Sequence, residues 1–376
     1  MIIGIDASQA SRGKKTGIEW YSYHLIQHLK NIPLSDGDKF ILYFSEMPSK
    51  ELAEVPKNWE IQILKWPLKY FWSQIKLARQ KPDILFSPGY GLPIFSRAKS
   101  GAVTIHDLGF KKIPKVYSFV QKLFFTFIHY WTLKRADKII VPSESTKKDL
   151  IDFYKIKQEK ISVIYEGYDK DIFSPLKNYD KIKVVLDKYK LKQPYFLYVG
   201  RLESKKNING LLDAYNRLRE TKNQAPSLVL VGRPGFGYKS IKGKIKTSQR
   251  VYEVGYINNQ DLPYFYQGAE AFIFPSFYEG FGLPIIEAMA CGCPVIASQT
   301  SSLPEVGGDG ALYFNPNKTN DLAELMEKIS INIELKNEMI KRGLARVKIF
   351  SWQKCAKKTM ELLLAGKKKN NNNSNF

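Results

Sequence analysis

The chain has 376 residues, 44% of them hydrophobic and 13% aromatic, which is too apolar for a disordered protein and long enough for two domains with buried cores. Its net charge of +22 asks for an anionic partner. Three cysteines, an odd number with Cys291 and Cys293 two positions apart, argue against a disulfide-stapled fold and suit a reducing, cytoplasmic setting.

Short β-branched or aromatic runs open the chain and recur along it. In the first half they are "MIIGIDAS", "KFILYFSE", "EIQILKW", "PDILFSPG", "AVTIHDL", "KIIVPSES" and "ISVIYEG". The first is too short, and lacks the basic leader, for a secretory signal. Behind it, "RGKKTGIEWYSYHLIQHL" reads as a helix in which Gly17 allows backbone to approach a phosphate. His24 and His28 are an i, i+4 pair without a third ligand, and read as ordinary helix-face residues. His106, where "TIHDLGF" leaves its strand, is placed to donate to a sugar hydroxyl or to stabilise developing charge, or to bond backbone as a partly buried histidine.

Half of the excess charge lies in residues 61–140, with 14 Lys and Arg against 3 Asp and Glu. The same region holds "VYSFVQKLFFTFIHYWTL" (116–133), seven of whose residues are aromatic. Gln121, Lys122 and His129 interrupt it, so a membrane span is disfavoured. The first expectation is a helix mostly packed in the core. The second is a helix that dips into an anionic membrane surface beside its basic neighbours, peripheral on the inner face.

Pro175 and dense charge between 174 and 193, followed by Pro194, mark a break, with domains expected over 1–175 and 190–349. A helix over about 350–365 is expected to return to the first domain, and 366–376 reads as a disordered tail. The second half supplies "PYFLYVG", "SLVLVG", "RVYEVGYI", "AFIFPS", "CPVIAS" and "ALYFNP". Unbroken apolar strands alternating with helical segments predict parallel sheets covered on both faces, hence two Rossmann-like α/β domains facing a cleft. Such sheets bind ligands beyond the carboxyl ends of their strands.

At those ends stand the second half's charged residues. Arg201 directly follows a strand and Lys206 comes five residues later, near a helix start, a pairing suited to a diphosphate. In "FYEGFGLPIIEAMACGCPVIAS" (277–298), Glu279 and Glu287 lie on either side of Gly280-Phe281-Gly282. The plain alternative is a solvated loop acid and a first-turn helix acid. In the sharper reading the amides of Phe281, Gly282 and Leu283 face an anion, and Glu287 accepts from a vicinal diol such as ribose. The triplets "DGD" (36–38) and "DKD" (169–171) stand in a turn and an interdomain stretch, so no metal site and no resident cofactor is expected.

Taken in order, "TGIEWYSYHL", "IHDLGF", "IIVPSESTKKDL", "VIYEGYDKDIFSP", "YVGRLESKKNINGLL" and the 277–298 segment resemble the retaining glycosyltransferases of family GT4, group 1, which have the GT-B fold. One departure is "KKTGIEW", where many members have a double glycine. The resemblance implies that Glu279 and His106 act at the donor sugar, Glu287 binds the nucleotide's ribose, Arg201 and Lys206 clamp the diphosphate, and Gly17 lies in a phosphate-facing loop. It implies transfer of a hexose to a glycan or lipid-linked acceptor, with the first domain on the acceptor side and closure excluding water. "TSSLPEVGGDGALYFNP" is similar to mannosyltransferase members, which favours GDP-mannose over a UDP-sugar. A sugar-nucleotide epimerase of the same architecture is the alternative; nucleic-acid binding, prompted by charge alone, is supported by no motif.

Overall fold

The computed structural model describes every residue except 14, 68–70, 90, 177, 223 and 366–376; the expected disordered tail lies outside the described residues. Two compact units emerge. The first comprises Met1–Leu108, Phe119–Gly167 and the segment from Ser351; the second comprises Tyr168–Phe350 with Gly109–Ser118.

The first unit contains β1 (Ile2–Asp6), β2 (Lys39–Phe44), β3 (Trp59–Ile63), β4 (Ile84–Ser87), β5 (Ser100–Thr104), β6 (Lys138–Val141) and β7 (Ile161–Val163). These form one parallel sheet in the order β3-β2-β1-β4-β5-β6-β7. The second unit contains β8 (Tyr195–Val199), β9 (Ser227–Val231), β10 (Val251–Gly255), β11 (Ala271–Phe274), β12 (Val295–Ser298) and β13 (Ala311–Phe314). Its parallel order is β10-β9-β8-β11-β12-β13. Every strand read from the sequence is present. Central strands such as β9, β11 and β12 are buried at every position, as sheets covered on both faces require, while the edge strand β10 is not.

Each sheet grows outward from its first strand and then reverses, so a crevice opens between β1 and β4 in one unit and between β8 and β11 in the other. These reversals are where doubly wound sheets take ligands.

The helix Trp352–Leu364 completes the first unit. It buries Trp352, Cys355, Ala356, Thr359, Met360 and Leu363, and Trp352 packs on Tyr21 and stacks on His24. Lys138 holds its end through the carbonyls of Leu362 and Leu363. In the second unit, the helix Tyr179–Lys188 packs on Leu262–Gly268, with Lys188 paired to Asp261 at 2.7 Å.

The aromatic segment corrects the first expectation made for it. It forms the helix Phe119–Arg135, but only Thr132 and Leu133 are buried. Phe119, Val120, Leu123, Phe124, Phe127 and Tyr130 are each more than half exposed, from 53% to 74%. With aromatics on several faces rather than in one stripe, the helix cannot bury them all against a single sheet. Among the described residues no helix is long and apolar enough to cross a membrane.

Candidate functional site

The second unit gathers its charged residues at the β8–β11 reversal. β8 ends at Val199, and Gly200 turns the chain at φ +149. Arg201 follows, more than half exposed, its nearest acid being Glu203 at 3.5 Å. The turn Ser204–Lys206 leads to the helix Ile208–Thr221. Asn207 starts that helix in the left-handed region and ties its side chain to the Pro316 carbonyl at 3.0 Å. This anchors the segment that carries Lys206.

From the neighbouring strand, β11, the chain runs through the glycine turn into the helix Leu283–Ala290. Gly282 is its N-cap at φ +121, a conformation that disfavours a side chain, and a Cβ there would stand 3.1 Å from Leu303. Pro284 in the first turn is pre-set for the helix. Neither Gly282 nor Leu283 finds an acceptor for its amide among the described residues, as at an open helix start. Phe281 packs edge-on against Phe350 at 5.6 Å.

Lys206 and Glu279, 73 positions apart in sequence, meet here: Nζ donates to Oε1 at 2.5 Å. Their side chains are 16% and 10% exposed, so the pair is largely withdrawn from water. Two charges that desolvated are tolerated because each neutralises the other.

Glu287 stands on the second turn of its helix, not the first, which rules out the dipole account of its place. Tyr266 Oη donates to its Oε2 at 3.2 Å. Burial pushes the Glu287 carboxyl up to about 7, with Tyr266 opposing and the charge of Asp169 adding to the rise.

Sequence reading missed the residues that hold this turn. Ser301, itself in the left-handed region, accepts from the Glu279 amide at 2.9 Å. The buried Ser302 hydroxyl lies 3.0 Å from the Glu279 carbonyl and 2.7 Å from that of Phe281. Thr300 donates to the Ser276 carbonyl at 3.2 Å. Three consecutive hydroxyl residues just beyond an apolar strand were the available signal. Tyr266 was missed as well, because nothing local distinguishes it from a core tyrosine.

The first unit contributes its own cluster. Thr16 and Glu19 form a capping box at the start of the helix Gly17–Leu29, and Arg12 pairs with Glu19 at 3.1 Å. Thr16 and Arg12 are thereby tied to the helix start, and a Cβ on Gly17 would meet open space. His106, beyond β5, has Nε2 2.8 Å from the Pro88 carbonyl beyond β4. A carbonyl only accepts, so Nε2 carries the proton. Nδ1 lies 3.6 Å from the buried Glu166 beyond β7, and Tyr21 packs edge-on against the ring at 4.7 Å. Three strand ends thus converge on His106, and its side chain is 13% exposed. His24 stacks between Trp20 and Trp352. Asp169 of the "DKD" triplet accepts from the amides of Asp171 and Ile172, an ordinary turn role.

Residues 181–346 match the family model of the glycosyl transferases group 1, and residues 16–172 that of glycosyltransferase family 4. The O-antigen chain mannosyltransferase B of Escherichia coli is 30% identical over 95% of this chain and 98% of its own. The O-antigen chain mannosyltransferase RfbU of Salmonella typhimurium is 27% identical over 80% and 83%. Among solved structures, Anabaena Alr3699/HepE in complex with UDP-glucose superposes with a TM-score of 0.74 at 17% identity, over 97% of this chain and 99% of that one.

Proposed function

Since the chain belongs to the group 1, family 4 glycosyltransferases and has their GT-B architecture of two parallel-sheet units, we propose that it is a retaining hexosyltransferase. Its donor is GDP-mannose, a reading supported by the O-antigen mannosyltransferases among its relatives; a UDP-sugar is the alternative. Its acceptor is a glycan or lipid-linked saccharide of a cell-surface polysaccharide.

The observation that carries this reading is the meeting of Lys206 with Glu279 beside an open helix start, next to Glu287. Arg201, Lys206 and the amides of Gly282 and Leu283 neutralise the diphosphate as it departs. In a water-poor site such preset charges do most of the work. Glu279 borders the sugar and Glu287 accepts from the ribose. The anomeric configuration is retained by front-face return through an oxocarbenium-like state without a protein nucleophile, so positioning replaces covalent chemistry. With two cations and a helix end at the leaving group, the transfer is metal-independent. The chain works in the cytoplasm, peripheral on the inner membrane face, with the exposed aromatic helix Phe119–Arg135 against anionic lipid.

The test is a thermal-shift panel of GDP-mannose, UDP-glucose, UDP-GlcNAc, GDP and UDP on the wild type, Glu287→Ala and Arg201→Ala. Binding raises the melting midpoint by mass action. One nucleotide series should stabilise the wild type, and both substitutions should weaken that effect. A well-folded protein that no nucleotide shifts would overturn the proposal, and transfer abolished by a chelator would overturn metal independence.

A further inference from the structure

The two oxygens of Glu287 have different surroundings. Oε2 accepts from Tyr266 at 3.2 Å, whereas Oε1 has no partner among the described residues. Tyr266 has no exposed surface and is held edge-on by Phe272 at 5.4 Å and Phe173 at 6.2 Å. Its helix, Leu262–Gly268, packs on the helix that carries Glu287. The phenol therefore has a fixed position and a single polar partner. Burial pushes the Tyr266 hydroxyl well above its ordinary range, so it stays protonated and acts as a donor.

We propose that Tyr266 is a positioning residue which reserves Oε1 of Glu287 for the ligand, so that capture of a nucleoside diphosphate displaces a proton from that oxygen. The proposal rests on the reading of Glu287 as the acceptor for a ribose diol. With Oε2 receiving the phenol's hydrogen bond, a proton on the carboxyl belongs on Oε1, the atom the diol requires as acceptor. Proton and diol compete for one site. Binding then converts the carboxylic acid to a carboxylate that accepts from the diol, and the proton leaves to solvent. The titratable groups facing Glu287 are Tyr266, Asp169 and Cys291. Burial pushes the Cys291 thiol well up, so it is neutral throughout the relevant range. The Glu287 carboxyl itself changes charge at about 7.

The experiment is calorimetric titration of the full chain with GDP and with UDP, in two buffers of different ionisation enthalpy, between about pH 5.5 and about pH 8.5. On the wild type, binding should release about half a proton near neutrality, and affinity should fall up to about ten-fold per unit as pH drops further. Tyr266→Phe removes the bond that favours the charged carboxylate. Its affinity profile should move to higher pH and rejoin the wild type at the alkaline end. Glu287→Gln should bind more weakly and release fewer protons, leaving only the share of the ligand's own terminal phosphate, which titrates near about 6. A uniform loss of affinity in Tyr266→Phe at every pH would reduce Tyr266 to packing and overturn the proposal, as would proton release in Glu287→Gln equal to that of the wild type. If neither nucleotide binds the wild type at any pH, the donor reading itself falls, and this inference with it.

Discussion

At the Lys206–Glu279 pair the roles of charge and shape can be separated. Glu279→Gln keeps the shape and frees the ammonium for an incoming diphosphate. Nucleoside diphosphate should bind at least as tightly, while transfer falls by roughly ten-fold or more as the sugar loses a charged neighbour. Equal losses in binding and transfer would mean that Glu279 serves only to hold Lys206. Lys206→Met is harsher, leaving a mostly buried carboxylate unpaired at a cost of about 3–5 kcal/mol, to be read from denaturant unfolding. Glu287 gives a stability signature of the opposite sign to that of a salt-bridged acid. Its carboxyl titrates near 7 in the folded chain, above its ordinary value of 4.5, so the folded state holds the extra proton between those limits. Stability is therefore fully present below about pH 4.5 and declines as pH rises through about 7. Glu287→Gln should be more stable than the wild type at pH 8, by at most about 3 kcal/mol. That advantage should vanish near pH 4 in chemical-denaturation curves.

Among the elements, the turn from Glu279 to Gly282 depends on hydroxyls supplied by the segment after β12. Ser302→Ala leaves the carbonyls of Glu279 and Phe281 without that donor inside the protein, and should cost about 1–3 kcal/mol. Nucleotide affinity should fall with it, because the amides of Gly282 and Leu283 lose their aim; unchanged affinity would detach the brace from the site. The helix Phe119–Arg135 makes the reverse case. Phe124 and Phe127 are mostly exposed, so Phe124→Ser with Phe127→Ser should leave the melting midpoint nearly unchanged. If this surface meets lipid, the double variant should bind vesicles of anionic phospholipid several-fold less than the wild type in a sedimentation assay. Equal binding would assign the contact elsewhere.

For the whole molecule, the consequential feature is that the last described helix belongs to the first unit. Trp352, Met360 and Leu363 are buried there, each contributing about 1.5–3 kcal/mol. A chain ending at Phe350 should lose protection from proteolysis across residues 1–167 while 168–350 stays resistant, since the second unit keeps all its strands. Uniform protection would show that the helix is dispensable. The net charge of +22 acts at this scale too, and binding to anionic vesicles should weaken as salt is raised.

The sequence by itself determined the strands, their parallel arrangement and the family. Apolar runs such as "SLVLVG" and "AFIFPS" are long enough to be buried on both faces and carry no alternation, and the order of motifs fits one family. It also located Arg201, Lys206, Glu279 and Glu287 on the segments that follow β8 and β11, because charge after an apolar strand is a local signal. Tertiary structure alone decided which of these touch. Lys206 meets Glu279 only because β8 and β11 are neighbours in the sheet, and Glu287 meets Tyr266 only because their two helices pack together. The same applies to the seryl brace at Ser301 and Ser302, to Glu166 behind His106, and to the exposure of the aromatic helix. Each depends on what lies opposite in space, and a one-dimensional pattern of polarity holds no record of that.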